Sequence, residues 1–195
     1  MQEYGRNYRE EKKMIKLWSI PSGWPNKQIG EIEKKKGTHY INFSIGKMLN
    51  TNEIVSPTFV FRCNKKNMYD VLPNSGLLPL VSERVISLLL PKFGDSFQFF
   101  PADVWNKGVN ITGYYIINIT KTLHIMDLKK SKYSTMKSLG YPGKILEIEH
   151  AVYKNDNLGI YGIVRNADYH QDILVDDKII EIFKENKIKG VEFIG

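Results

Sequence analysis

The length, composition and charge of the chain exclude several classes of protein. Its 195 residues are 42% hydrophobic and 25% charged, close to the average for globular proteins, which argues against a disordered chain and against a membrane protein. The longest apolar run, Val85–Leu90, contains Ser87 and stops at Pro91, far short of the roughly 20 residues that cross a bilayer. We therefore expect no membrane partner and one folded domain over residues 14–195.

The N-terminal segment and the single cysteine indicate the compartment. Met1–Lys13 is polar, is interrupted by Gly5 and lacks the apolar core and cleavage site of a secretory signal. We expect it to form a flexible arm. Cys63 is the only cysteine, so no disulfide can form within the chain. Together these features predict a protein of the reducing cytoplasm.

The formal net charge of +7 raises the question of a nucleic-acid partner. Such a charge attracts acidic proteins and phosphate backbones alike. The lysines lie in short clusters, such as Lys34–Lys36 and Lys129–Lys130, which alternate with acids along the chain, as on an ordinary solvated surface. Aromatic residues beside lysines, as at Tyr153–Lys154, could stack on single-stranded nucleic acid, but aromatics in strands more often pack in the core. A basic nucleic-acid-binding or regulatory module is therefore the alternative hypothesis.

The predicted elements begin with two strands. Met14–Ile20 places Ile15 and Leu17 on one face, and Thr58–Phe61 alternates β-branched and aromatic residues, which is typical of a half-buried sheet. Pro21–Pro25 between them is a turn-rich connector. For the N-terminal third we therefore predict short strands joined by irregular segments.

Further along the chain, the segment Leu80–Phe100 predicts a short apolar strand, then a helix, then a strand in which apolar and polar residues alternate. Ser82 is the expected N-cap of that helix, and Pro91 is expected to end it because proline has no amide hydrogen. Four more segments are rich in β-branched and aromatic residues and predict strands: Gly113–Thr120, Leu123–Asp127, Ile145–His150 and Leu158–Val164.

The last segment, Leu174–Ile194, matches Leu80–Phe100 without gaps at a constant offset of 174 − 80 = 94 residues. Asp176 takes the place of Ser82 as the helix N-cap. We predict an internal pseudo-repeat of strand–helix–strand units, with chance recurrence of a common unit as the alternative. Strands joined by short links favour an antiparallel arrangement, so the predicted fold class is α+β, a mainly antiparallel twisted sheet with a few helices on one side.

Residues with catalytic or metal-binding chemistry are sparse. Asp168, His170 and Asp172 alternate as ligands on an extended segment would, but aspartate is an ordinary turn residue, and a polar loop between two strands is favoured. The chain contains no Walker, nucleophile-elbow or HExxH motif. We therefore expect no catalytic residue, no metal and no cofactor, and a protein that is not an enzyme.

Several blocks, taken in order, carry a resemblance to a known family. They are Leu78–Val85, Gly113–Ile119, Met126–Ser131, Ile173–Val175 and Gly190–Phe193. With these blocks the chain resembles an immunity-protein family of bacterial polymorphic toxin systems, formerly a domain of unknown function: immunity protein family eleven or the related family forty-three. The resemblance spans Leu77–Phe193, and the N-terminal third shows no clear counterpart. It implies a non-catalytic protein that binds and blocks a cognate toxin encoded beside it.

The expected partner contacts are aromatic and arginine side chains, which dominate affinity at many interfaces. Trp24, Trp105, Tyr141 and Tyr169 lie in turn-like segments where they can protrude. Arg165 matches a position at which the resemblance implies a common arginine. We expect these residues to help a stiff scaffold cover the active cleft of the toxin, and the positive charge favours a toxin with an acidic face.

Overall fold

The computed structural model describes residues 14–136, 143–154 and 158–195, and its architecture is α+β, as predicted. Met1–Lys13 and Tyr141 lie outside these residues. The two α-helices are α1 (Glu83–Phe93) and α2 (Asp177–Glu185). The strands are β1 Lys16–Ser19, β2 Glu31–Ile32, β3 Thr58–Phe61, β4 Leu80–Ser82, β5 Phe97–Pro101, β6 Asp103–Asn106, β7 Val109–Ile111, β8 Tyr114–Ile119, β9 Thr122–Leu123, β10 Lys132–Thr135, β11 Ile145–His150, β12 Ile163–Asn166, β13 Ile173–Val175 and β14 Glu192–Ile194.

The strands form four sheets instead of one. Their orders are β14-β1-β13-β12-β9, β2-β3-β6-β7, β4-β8-β5 and β10-β11. All neighbouring strands are antiparallel except β3 with β6 and β9 with β12, which confirms the mainly antiparallel prediction. The prediction of a single sheet was wrong. Most strands are only two to four residues long, and the turns between them change the direction of the chain before one larger sheet can form.

The two segments of the predicted pseudo-repeat hold equivalent places in two sheets. In each segment the two strands run parallel and flank one antiparallel strand, which is β8 between β4 and β5, and β1 between β13 and β14. In each central strand a residue pairs with both flanking strands, for example Ile116 with Leu80 and Phe100, and Leu17 with Leu174 and Ile194. This pairing alone does not establish an internal duplication, so the pseudo-repeat stays a prediction.

One apolar cluster joins both helices to the five-stranded and three-stranded sheets. Val85, Leu89 and Phe93 of α1 are buried in it with Ile179 and Phe183 of α2. Both sets recur at the spacing of one helical face. A second cluster lies between the three-stranded and four-stranded sheets. The three-stranded sheet is therefore covered on both faces, as expected for the run of isoleucines in β8.

The helix termini differ in part from the predictions. The side chain of Asp176 caps α2 by accepting a bond from the Lys178 amide at 3.1 Å, as predicted. Ser82 precedes α1, but its hydroxyl lies 3.1 Å from Asp70 Oδ1 and does not cap the helix. Pro91 lies inside α1 instead of ending it. The bond that Pro91 removes is on the solvent side of the last turn, and continuing the helix buries Phe93.

Two predicted strands are displaced. The segment 158–164 contributes only its end to β12, because Gly159 and Gly162 have φ of 65° and 64° and turn the backbone before Ile163. In the segment 123–127, Asp127 Oδ1 accepts bonds from the Lys129 and Lys130 amides and forms a turn. In the part of the chain that the structure describes, no helix has the length and apolarity to span a bilayer.

Candidate partner-binding surface

The loop between β12 and β13, residues 167–172, separates two surface cavities. One cavity, of about 410 Å³, is lined by residues that include Trp18, Leu77 and Tyr169. The other, of about 460 Å³, is lined by residues that include His124, Tyr133 and Tyr169. Tyr169 is therefore the wall between the two cavities. We call the two cavities and this loop the Tyr169 surface.

Backbone and side-chain bonds within the loop fix its shape. The buried Asn166 accepts a bond from the Asp168 amide at its Oδ1, at 3.1 Å, which forms an Asx turn. The Tyr169 amide donates to the Asn166 carbonyl, the Asp172 amide donates to the Tyr169 carbonyl, and the Asn166 amide donates to the Asp172 carbonyl. The predicted polar loop between two strands is confirmed, and hydrogen bonds between its own backbone atoms join its two ends.

Arg165 fixes the loop from beneath. Its side chain is only 1% exposed, and its guanidinium donates to the His170 carbonyl at 2.7 Å and to the Phe43 carbonyl at 2.9 Å. Burial lowers the pKa of Arg165 to about 10, so the group stays charged at neutral pH. Arg165 therefore ties the loop to the segment around Phe43.

The Tyr169 ring is half-buried and held at its hydroxyl. The hydroxyl oxygen lies 3.4 Å from the Leu146 carbonyl and 3.1 Å from Gln171 Oε1, and its single hydrogen can be donated to either acceptor. Burial raises the pKa of Tyr169, with smaller contributions from the charges of Asp172 and Glu147. The side chain is thus a neutral, oriented aromatic group, and a partner that contacts it has little side-chain entropy left to remove.

An exposed leucine stands at the rim of the first cavity. Leu77 is 62% exposed and has a φ of 53°, a left-handed conformation that is strained for a leucine. Asn74 holds this turn from inside, because its Oδ1 accepts from the amides of Gly76 and Leu78 and its Nδ2 donates to the carbonyls of Leu72 and Leu78. The turn therefore presents Leu77 to solvent in one orientation.

A comparison with protein-family models identifies the chain. The model described as Immunity protein family (Imm11) matches residues 25–195, a range that contains the second cavity and the loop of the Tyr169 surface but not Leu17–Ile20 of the first cavity. The chain belongs to this family. The match confirms the resemblance to immunity protein family eleven, and it begins far upstream of Leu77, so the expectation that the N-terminal third has no counterpart was wrong. A search of curated proteins finds no match to the chain.

Family membership implies a partner toxin, but the expected partner contacts of this Imm11 protein are not gathered in one place. Trp24 is half-buried with its ring 5.5 Å from that of Tyr69, and Trp105 on β6 is 36% exposed with its indole donating to Asp103 Oδ2 at 2.9 Å. Neither tryptophan lines the Tyr169 surface. Arg165 is buried beneath that surface and is not placed to touch a partner directly, which differs from the expectation.

Sequence reasoning missed Leu77 in this Imm11 protein. A single exposed leucine is common on protein surfaces and carries no signal by itself. The run Asn74-Ser75-Gly76 before it is a turn signal and could have marked it as a projecting residue.

Two ionisable groups beside Tyr169, His124 and Asp168, form a close pair. His124 Nδ1 lies 2.7 Å from Asp168 Oδ1 and connects the end of β9 to the loop. Burial lowers the pKa of His170, as do the charges of Arg165 and His124, while Asp168 acts in the opposite direction. Across residues 14–136, 143–154 and 158–195, no group of three or more His, Cys, Asp or Glu side chains is arranged to hold a metal ion.

Asp172 in the first cavity makes the stability of this Imm11 protein depend on pH. Burial raises its pKa from 3.8 to about 6, against a hydrogen bond from Asn166 that lowers it. The folded chain therefore holds a proton there that the unfolded chain releases, so this group's contribution to stability falls as pH rises from about 4 to about 6. We expect Asp172→Asn to raise the free energy of unfolding at pH 7 by about 1–2 kcal/mol, after discounting for partial exposure.

Urea denaturation at pH 4 and pH 7 measures this difference. Asp172→Asn should differ from the parent at pH 7 and much less at pH 4. Asp95→Asn, at an exposed aspartate on another part of the surface, is the matched control and should show neither change. Equal effects of Asp172→Asn at both pH values would contradict the assignment.

Proposed function

We propose that the chain is a non-catalytic immunity protein that binds a cognate bacterial toxin in the cytoplasm and covers the toxin's active site with the Tyr169 surface. The observation that carries the proposal is the pair of adjacent cavities with an oriented tyrosine between them and an exposed leucine at the rim. Tyrosine anchors are enriched among the residues that dominate binding energy, and such residues cluster near the centre of an interface.

Occlusion needs a stiff surface more than a reactive one. Hydrogen bonds to backbone atoms fix the loop through Arg165 and Asn166 and fix the Leu77 turn through Asn74. Binding therefore costs little conformational entropy on this side of the interface. The cavities are large enough to accept side chains from the toxin. A stable complex of this kind buries about 800 Å² on each partner, an area that extends beyond the two cavities to the flanking strands.

Tyr169→Ala is expected to weaken binding to the cognate toxin about 30-fold or more, which corresponds to about 2 kcal/mol. The substitution joins the two cavities and removes the central aromatic contact. Calorimetry with the catalytically inactivated toxin, encoded by the neighbouring upstream gene, measures the affinity, and growth of cells that express the active toxin measures protection.

Val109→Ala is the matched control, because Val109 is another exposed apolar side chain, on β7. Trp105→Ala tests the competing surface around β6. A larger loss of affinity with Trp105→Ala than with Tyr169→Ala would contradict the choice of surface. Failure of the parent chain to protect against the neighbouring toxin would contradict the function itself.

A further inference from the structure

A groove between α2 and β14 is a second apolar concavity, and it shares no lining residue with the Tyr169 surface. Its volume is about 420 Å³. Its lining combines five apolar side chains with three lysines and no acid: Ile180, Phe183, Ile188, Val191 and Phe193, with Lys184, Lys187 and Lys189. We call it the α2–β14 groove.

The floor of the groove is aromatic and rigid. Phe183 and Phe193 pack edge to face with ring centroids 5.4 Å apart, and Trp18 packs edge to face on both, at 5.4 Å and 5.7 Å. Such contacts fix ring orientation beyond what simple burial does. The floor therefore keeps its shape when a partner binds.

The three lysines make the groove electropositive. All three are exposed, and none forms an ion pair with a residue in the described ranges. An apolar floor with an unneutralised cationic lining is complementary to a segment that carries both apolar and acidic side chains. The net charge of +7 of the whole chain attracts the same kind of partner at longer range.

Lys187 stands in a conformation that usually belongs to glycine. Its φ is 54°, and it ends α2 in a Schellman motif, in which the Ile188 amide donates to the Phe183 carbonyl and the Lys187 amide donates to the Lys184 carbonyl. Glycine is the common residue at this place because it avoids strain. A lysine there keeps a positive charge at the groove at the expense of backbone strain, which often marks functional positions.

The groove runs beside an open sheet edge. β14 pairs with β1 on one side and has no strand partner on the other among the residues that the structure describes. An unpaired edge offers backbone donors and acceptors to an incoming strand. Strand addition next to side-chain pockets is a common mode of peptide recognition.

We propose that the α2–β14 groove docks an extended acidic segment of a partner protein. The segment adds as a strand to the free edge of β14, so every second side chain faces α2. Apolar side chains at some of these positions cover the aromatic floor, and carboxylates at the others meet Lys184, Lys187 and Lys189. A second copy of this chain fits less well, because a contact between two such grooves would bring three unpaired lysines against three others. This contact is additional to the Tyr169 surface and does not depend on the proposed function.

Synthetic peptides test the proposal with the full chain. The probe is a peptide of about ten residues in which glutamate and an apolar residue (isoleucine, valine or phenylalanine) take turns at every second position, with threonine between them, and its counterpart carries lysine in place of glutamate. The acidic peptide should bind with a Kd of about 10–100 µM, more weakly at high salt, and should shift amide NMR signals of α2, β14 and their connector. Absence of binding at about 1 mM, equal binding of the basic peptide, or shifts confined to other regions would overturn the proposal.

Lys187→Gly separates the charge of Lys187 from its structural role. The glycine relieves the left-handed strain, so we expect the Tm to rise by about 2–4 °C. Affinity for the acidic peptide should fall about 3–10-fold, because one cation leaves the groove. A structural role alone would move the Tm and leave the affinity unchanged.

Lys107→Gly is the matched control. Lys107 has a φ of 52° in the turn between β6 and β7, outside the groove, so its replacement should raise the Tm similarly and leave peptide affinity unchanged. If the two glycine variants bind the acidic peptide equally well, the proposal is overturned. It is also overturned if sedimentation shows a dimer of the parent chain that Lys187→Glu dissociates, since a second copy would then occupy the groove.

Discussion

Arg165→Met is expected to lower the free energy of unfolding by about 2–4 kcal/mol. Methionine fills much of the space but donates no hydrogen bond, so the Phe43 and His170 carbonyls lose the donors that the guanidinium supplies at 2.9 Å and 2.7 Å. An unpaired buried carbonyl costs about 1–3 kcal/mol, and release of the desolvated charge offsets part of that cost. The loop that carries Tyr169 should lose order together with this stability.

Urea denaturation measures the effect on stability, and amide exchange of residues 167–172 measures the loss of loop order. Arg62→Met is the matched control, because Arg62 is exposed and its replacement should change the stability by less than about 0.5 kcal/mol. A change of that small size with Arg165→Met would show that the guanidinium does not hold the loop.

Gly190→Ala is expected to lower the free energy of unfolding by about 3 kcal/mol or more. Gly190 has a φ of 98°, and a Cβ atom there would overlap the Val71 carbonyl oxygen. Backbone atoms cannot move aside as a side chain can, and the Val71 amide is itself bonded to the Lys189 carbonyl at 2.9 Å. The substitution should therefore push Val71 away from Gly190 and break the bond between the Val71 amide and the Lys189 carbonyl just before β14.

The control for Gly190→Ala isolates the clash from the backbone conformation. Gly113 has a φ of 83°, and a Cβ atom there would meet no heavy atom within 4 Å. Gly113→Ala should cost only the conformational strain, about 1 kcal/mol. Thermal or urea unfolding of the two variants gives the comparison, and equal losses would contradict the assigned clash.

The sequence signals that succeeded are local ones. The alternation in Thr58–Phe61 and the strand-forming composition of Ile145–His150 predicted β3 and β11 with their observed bounds, and Asp176 predicted the cap of α2. These features depend on neighbouring residues, so a short stretch of sequence contains the necessary information. The prediction that Pro91 ends α1 was wrong, because the burial of Phe93 stabilises the longer helix more than the hydrogen bond lost at Pro91 destabilises its exposed last turn.

The candidate site was harder to predict because it is assembled from distant segments. Tyr169 was predicted as a partner contact, but the cavity beside it is also lined by Leu77 and Trp18, which reach it from other parts of the chain. The burial of Arg165 depends on the Phe43 carbonyl, far away along the chain. Neither fact follows from periodicity or turn signals, since both are set by tertiary packing.

The position of β1 has a consequence for the timing of folding. β1 is synthesised before both of its partners, β13 and β14, which follow residue 172. At about 5–20 residues per second, a ribosome takes roughly 10–35 s to travel from β1 to β14. Leu17 and Trp18 line the first cavity, so that half of the Tyr169 surface is completed only after β13 and β14 have emerged from the ribosome.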